Sequence, residues 1–208
     1  MSSITLIAIV AGYLLGALPF GYLVAKAKGV DIFSVGSRNP GATNVRRVLG
    51  HGPGNLVLFL DAAKGALAAG WPLFHAGAVA GEGAAITGLV AAIVGHSFSC
   101  FTGFRGGKSV ATAAGGFTVV FPLGAAIAFG VFGLTLAVSR YVSLSSMLAA
   151  VTLVVSAIAL GRSLVVVIVT AAIASFVILR HRDNISRLLA GTESKVGSKP
   201  PAAPSSPA

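Results

Sequence analysis

Long apolar stretches alternate with short polar islands along this chain, and the stretches set the expected helices. Ile4–Val24 is an uncharged run of 21 residues, close to the ~20 needed to span a bilayer. Further apolar stretches cover roughly Asn55–Phe74, Gly77–Val94, Leu144–Leu160 and Ser163–Leu179, the last two joined by a tight turn at Gly161-Arg162. Val110–Val138 is harder to divide. As one straight helix its 29 residues would reach ~43 Å at 1.5 Å per residue, against a hydrocarbon core of ~30 Å. Phe121-Pro122 stands in its middle, and a proline, lacking an N–H, can end one helix and begin another. The stretch is therefore expected to split into a short span Val110–Val120, a half-helix in length, and a full span Pro122–Val138.

The split settles parity. The polar islands are Lys26–Gly50, Gly95–Lys108, Ser139–Ser143 and Arg180–Lys199. With seven crossings all four fall on one side, together with every Lys and Arg except Arg162 (Lys64 lies just inside a span near that face). Short loops rich in Lys and Arg stay in the cytoplasm. With six crossings Arg180–Lys199 would lie opposite Gly95–Lys108 and the bias would be lost. The expected fold is thus an all-α integral membrane protein of seven transmembrane helices, one or two of them short or re-entrant. Its N-terminus lies outside and its C-terminus in the cytoplasm.

Composition agrees. Mean hydropathy is +0.92, with 55% apolar and 10% charged residues, where a soluble domain carries about a quarter charged. Residues 1–197 are expected to form one helical domain, followed by a disordered cytoplasmic tail over 198–208 rich in Pro, Ser and Ala. The net charge of +10 is read as holding loops against anionic lipid. Nucleic acid is not an expected partner. Cys100 is the sole cysteine, which excludes an internal disulfide or a cysteine-based metal site. Five acidic residues leave no convincing metal cage, and no cofactor is expected. The first stretch lacks a basic leader and is read as a retained helix rather than a signal peptide. Small residues four apart, as at Gly12/Gly16, Gly65/Ala69 and Gly124/Ala128, are packing positions.

The chemistry lies in the islands. The first carries Gly36-Ser37-Arg38-Asn39-Pro40-Gly41-Ala42-Thr43-Asn44-Val45-Arg46-Arg47, in which glycine N–H groups, small polar donors and two arginines suit an anion. The second ends Phe104-Arg105-Gly106-Gly107-Lys108-Ser109 immediately before an apolar helix, a natural phosphate cradle. It is not a P-loop, because Thr102 stands where that motif needs glycine. Phe98, Phe101 and Phe104 are expected to seat this loop in the membrane interface. The third can lend Ser143 or Arg140 to the same pocket, or merely stop a helix. In the fourth, His181, Asn184 and Arg187/Leu188 share a face if the last span continues as helix into the cytosol, while Ile185, Leu188 and Leu189 equally suit a plain interfacial helix. Asp61 and Lys64 lie one turn apart inside a span and are read as a structural pair or a link to a neighbouring island.

Three of these segments resemble the signatures of the bacterial acyl-phosphate:glycerol-3-phosphate acyltransferase family, G-S-x-N-x-G-A-T-N-x-x-R, G-H-x-F-x-x-F-x-x-F-[KR]-G-G-K-x-x-A-T and H-x-x-N-I-x-R-L-x-x-G-x-E. All three occur in order, and Asp61–Gly65 matches a D-x-x-K-G element. Arg38 and Ser109 stand where the family often has glycine, departures expected to bear on substrate preference more than on activity. The resemblance implies transfer of a fatty acyl group from acyl phosphate to the 1-hydroxyl of glycerol 3-phosphate, at the cytoplasmic face of the bacterial inner membrane. It also implies lipid surroundings and contact with a peripheral acyl-phosphate synthase. It assigns catalysis to His181, Asn184, Lys108 and Ser37. Substrate binding falls to Arg47, Asn39, Thr43, Asn44, His96, Arg105, Gly106, Gly107, Ser143, Arg187 and Glu193. His181 is the obvious general base, but the donor's own phosphate can take the proton, and His181 is then an orienting residue. The rival reading is a transporter for a phosphorylated metabolite. A broken helix at Pro122 suits it, but cations confined to one face do not.

Overall fold

A computed structural model describes residues 3–76 and 78–197 of the chain, without the side chains of residues 76 and 78–80; the tail expectation at 198–208 lies outside the described residues. The first apolar run is not one helix. α1 (Ser3–Ala17) stops at Leu18-Pro19 and α2 (Phe20–Lys26) resumes the same direction of travel as a 24-residue span. Pro19 cannot donate to the ladder, and the Leu18 carbonyl accepts a bond from Lys64 Nζ instead, at 2.9 Å. The first island then folds into α3 (Ala42–Leu49), a helix absent from the sequence reading. α4 (His51–Ala76) starts earlier than its apolar core, and α5 (Ala78–Ser97) returns.

The stretch Val110–Val138 divides as the proline demands, into α6 (Val110–Val120) and α7 (Pro122–Ser139). α6, with 11 residues, is ~16 Å long. α8 (Val142–Ala159), α9 (Leu164–Arg180) and α10 (Arg182–Leu189) complete the chain. The last two do not form one continuous helix. They bend by 59° at His181, so His181 is a hinge rather than one position on an extended face. Among the described residues five segments are long and apolar enough to cross a bilayer, and the bent α9–α10 pair makes a sixth; α6 is shorter.

Packing relies on small residues. A methyl added at Gly12 would strike the Gly88 backbone, one at Gly16 the Ala92 backbone, and one at Gly65 the Thr112 backbone. α1 therefore lies hard against α5, and α4 against α6. Such contacts hold helices together in lipid, where apolar burial gives little drive. Leu89, Ile93, Phe117, Phe121, Leu153, Val166 and Val177 fill the centre. Leu6, Val10, Leu14, Leu134, Val155 and Ile168 point outward as a lipid-facing belt. One end of the bundle holds the Phe121-Pro122 corner, where Arg162 sits 5.2 Å from the Phe121 ring centroid and 3.2 Å from Glu82. The four polar islands meet at the other.

Candidate active site

The loop between α5 and α6 is fixed from below and from the side. Ser99 Oγ donates to the Ala17 carbonyl at 2.6 Å, and Gly107 N–H donates to the His96 carbonyl at 3.1 Å. Arg180 Nη2 donates to the Gly106 and Gly107 carbonyls, at 3.1 and 2.9 Å. With both carbonyls held, Lys108 is set at the mouth of α6. Phe98, Phe101 and Phe104, expected at the membrane interface, are 39, 56 and 65% exposed.

Lys108 reaches the fourth island. Its Nζ donates to Asn184 Oδ1. Asn184 Nδ2 donates to Glu193 Oε1 at 2.5 Å, the same oxygen accepts from Ser143 Oγ at 2.7 Å, and Oε2 accepts from Arg187 Nε at 2.7 Å. Burial would raise the Glu193 carboxyl, but the bonds from Ser143, Asn184 and Arg187 outweigh it and hold the pKa below the usual carboxylate range. Burial lowers Lys108 to about 8, with Glu193 pulling upward and Arg187 downward. Arg47 faces the same cluster. Burial lowers its pKa, Glu193 raises it and Arg187 lowers it.

His181 stands at the hinge. Its Nδ1 lies 2.7 Å from the Val177 carbonyl. A carbonyl only accepts, so Nδ1 carries the proton and Nε2 presents a lone pair. Burial, and then the Lys108 charge, lower its pKa to about 4. The ring is neutral at pH 7.

The remaining candidates lie nearby in two groups. Asn44 is buried, taking the Ser37 N–H on Oδ1 at 2.8 Å and giving Nδ2 to the Val35 carbonyl at 3.1 Å. Asn39 Oδ1 takes the Gly41 N–H at 2.8 Å. These amides brace the first loop, while Ser37 on it and Thr43 in the first turn of α3 are exposed. Arg105 crosses to that loop and lies 4.1 Å from the Phe33 ring centroid. Beneath, His96 Nδ1 lies 3.5 Å from Asp61 Oδ1, which Lys64 Nζ approaches to 2.8 Å. A small cavity joins this buried trio to Arg105, Gly106 and Gly107.

Sequence reasoning missed Arg180 and Ser97, whose buried hydroxyl donates to the Gly107 carbonyl at 3.1 Å and lies 2.8 Å from Ser109 Oγ. Arg180 reads as one more cation at a span boundary, and its grip on two loop carbonyls is legible from no spacing. Arg140, offered for the pocket, turns its guanidinium to the Val196 carbonyl instead.

The sequence model described as glycerol-3-phosphate acyltransferase matches residues 6–191. The chain belongs to that family. A glycerol-3-phosphate acyltransferase of Trichormus variabilis is 44% identical over 207 residues, covering 92% of this chain and 91% of that protein. One from Synechococcus sp. strain JA-3-3Ab is 44% identical over 195 residues, covering 93% and 94%. The crystal structure of PlsY (YgiH), an integral membrane glycerol 3-phosphate acyltransferase, superposes in its glycerol 3-phosphate form with a TM-score of 0.87. It shares 39% identity and covers 93% of this chain and 96% of that one. Its lysophosphatidic acid form gives 0.84 at 38% identity.

The two departures share a backbone feature. Arg38 and Ser109 both hold left-handed backbone, with φ of 53° and 61°. Glycine, with no Cβ, adopts that conformation freely, so glycine at either position would suit the backbone.

Proposed function

We propose that the chain transfers a fatty acyl group from acyl phosphate to the 1-hydroxyl of sn-glycerol 3-phosphate, releasing lysophosphatidic acid and inorganic phosphate, as a multi-pass protein of the bacterial inner membrane. The observation that carries the site assignment is the bonded run Lys108–Asn184–Glu193 with Ser143 and Arg187, beside Arg47 and His181. Residues 1–197 act as one domain crossing the membrane seven times, with α6 as a short crossing. The N-terminus is outside, and the site faces the cytoplasm.

The chemistry needs little covalent help. The glycerol hydroxyl oxygen attacks the acyl carbonyl carbon, the bond from that carbon to the phosphate oxygen breaks, and the hydroxyl proton leaves with phosphate. Two anions must first be held together, which is the task of Lys108, Arg47, Arg187 and the donors of Ser37, Asn39, Thr43 and Arg105. One Lys108 hydrogen goes to Asn184, and two remain for phosphate oxygens. The same charges stabilise the carbonyl oxygen and leaving phosphate as negative charge grows on them. Glu193 holds Asn184 and Arg187 in place. His181 Nε2 accepts from the attacking hydroxyl and aims it. Burial leaves His181 a poor proton acceptor, lowered to about 4, whereas the donor's phosphate gains basicity as its bond to the acyl carbon breaks, so the phosphate takes the proton. His96, Gly106 and Gly107 shape the loop that presents Lys108.

The test is phosphate release from acyl phosphate by the purified chain in detergent or lipid. Release should depend on added glycerol 3-phosphate; release independent of it would overturn the assignment. Impermeant thiol labelling of the exposed native Cys100, and of a Cys introduced at residue 183 in a Cys100→Ser background, checks orientation. Modification from opposite faces would overturn the seven-crossing arrangement.

A further inference from the structure

Glu193 lies where regular structure has ended. α10 stops at Leu189, Gly191 takes a left-handed turn, and residues 192–195 belong to no helix. One side of this segment is tied by the Thr192 and Glu193 N–H groups to the Arg187 carbonyl, at 2.8 and 3.2 Å. The other side is tied at Val196, and the tie runs in both directions. Val196 N–H donates to the Arg140 carbonyl at 2.8 Å, while Arg140 Nε and Nη2 donate to the Val196 carbonyl at 3.0 and 2.6 Å. Lys195 adds its ammonium 5.4 Å from the Tyr141 ring centroid. Gly197 follows with φ of 79°, and a methyl there would stand 3.0 Å from Arg140 Nη2.

Ser143 lies three positions after Arg140, and Val196 three positions after Glu193. Ser143 Oγ is bonded to Glu193 Oε1, so the two segments close a small ring through the Arg140–Val196 bonds. We propose that Arg140 is a positioning residue for the reaction: its latch on Val196 fixes the segment that carries Glu193 against Ser143, Asn184 and Arg187. Ordering a free segment costs conformational entropy for each residue held. The latch meets that cost at a distance from the substrates. The inference rests on the role given to Glu193 above.

The test is a double-mutant cycle on kcat/KM for glycerol 3-phosphate in the full-length chain, with Arg140→Ala, Glu193→Gln and both together. Arg140→Ala is expected to lower kcat/KM on the order of tenfold, the scale of losing one or two hydrogen bonds. Once Glu193 is Gln, Arg140→Ala should add almost nothing, because residues acting through one another are non-additive. A merely structural role would give multiplicative losses. Gly197→Ala strikes the latch from the tail side and should reproduce the loss, while Arg140→Lys, keeping one donor, should recover part of it. Full activity in both Arg140→Ala and Gly197→Ala, or multiplicative losses in the cycle, would overturn the latch. Full activity in Glu193→Gln alone would overturn the role of Glu193 itself, and the latch with it.

Discussion

Replacing Arg38 and Ser109 by glycine should move stability in opposite directions. Both residues sit at positive φ, 53° and 61°. A side chain in that conformation costs about 1–2 kcal/mol, which glycine removes. Glycine in turn adds about 0.5–1 kcal/mol of backbone entropy to the unfolded chain. For Arg38, an exposed residue, the balance is a gain of about 1 kcal/mol. Ser109 differs because it is buried, and its hydroxyl lies 2.8 Å from both the Ile93 carbonyl and Ser97 Oγ. Ser109 donates to Ile93, and the Ser97 proton is shared between Ser109 Oγ and the Gly107 carbonyl, 3.1 Å away. Deleting the hydroxyl forfeits two bonds at about 1 kcal/mol each, leaving Ser109→Gly less stable by about 1 kcal/mol. In a chain of this size 1 kcal/mol moves a thermal midpoint by about 2–4 °C. Thermal unfolding in detergent should therefore place Arg38→Gly above the parent and Ser109→Gly below it. A lower midpoint for Arg38→Gly, or a higher one for Ser109→Gly, would refute the reasoning.

Lys108→Ala and Arg47→Ala should each abolish measurable turnover while the thermal midpoint stays close to that of the parent; full activity in either would remove that residue from the phosphate cradle. Lys108 titrates at about 8, so kcat/KM should fall as pH rises through that value and the ammonium is lost. Glu193→Gln removes the neighbour that raises this pKa and should shift the alkaline limb to lower pH, a displacement read from the pH profile. His181 at about 4 is neutral from pH 5.5 upward and should give no limb in that range. Within the bundle, Asp61→Asn alone leaves a buried ammonium unpaired and should cost about 3–5 kcal/mol, whereas Asp61→Asn with Lys64→Met should be far milder. Thermal midpoints of the single and double variants check this.

The spans were legible because their signal is long and redundant. Pro122 in an overlong apolar run foretold the α6–α7 corner to the residue. The break at Leu18-Pro19 was equally marked by a proline but was masked by the fitting length of the run around it. α3 was hidden because Gly, Pro, Asn and Thr dominate its approach and read as loop. The bend at His181 was missed for a different reason: periodicity continues across it, and the ring's local bond back to the Val177 carbonyl leaves no mark in the residue pattern. At the site, residue types named the chemistry well, and Lys108, Asn184, Arg187 and Glu193 do meet. Pattern alone could not reveal that Asn44 faces inward to brace its own loop, or that Arg180 clamps a backbone from the far side. The first depends on how the loop folds back on α3, the second on how helices distant in sequence are brought together.

Gly12 on Gly88, Gly16 on Ala92 and Gly65 on Thr112 leave backbone touching backbone, with no side-chain layer between to slide or rotate. A machine that alternates its openings needs slack at such seams, and here there is none. α1, α4, α5 and α6 thus make a jig against which substrates arrive from water and from lipid.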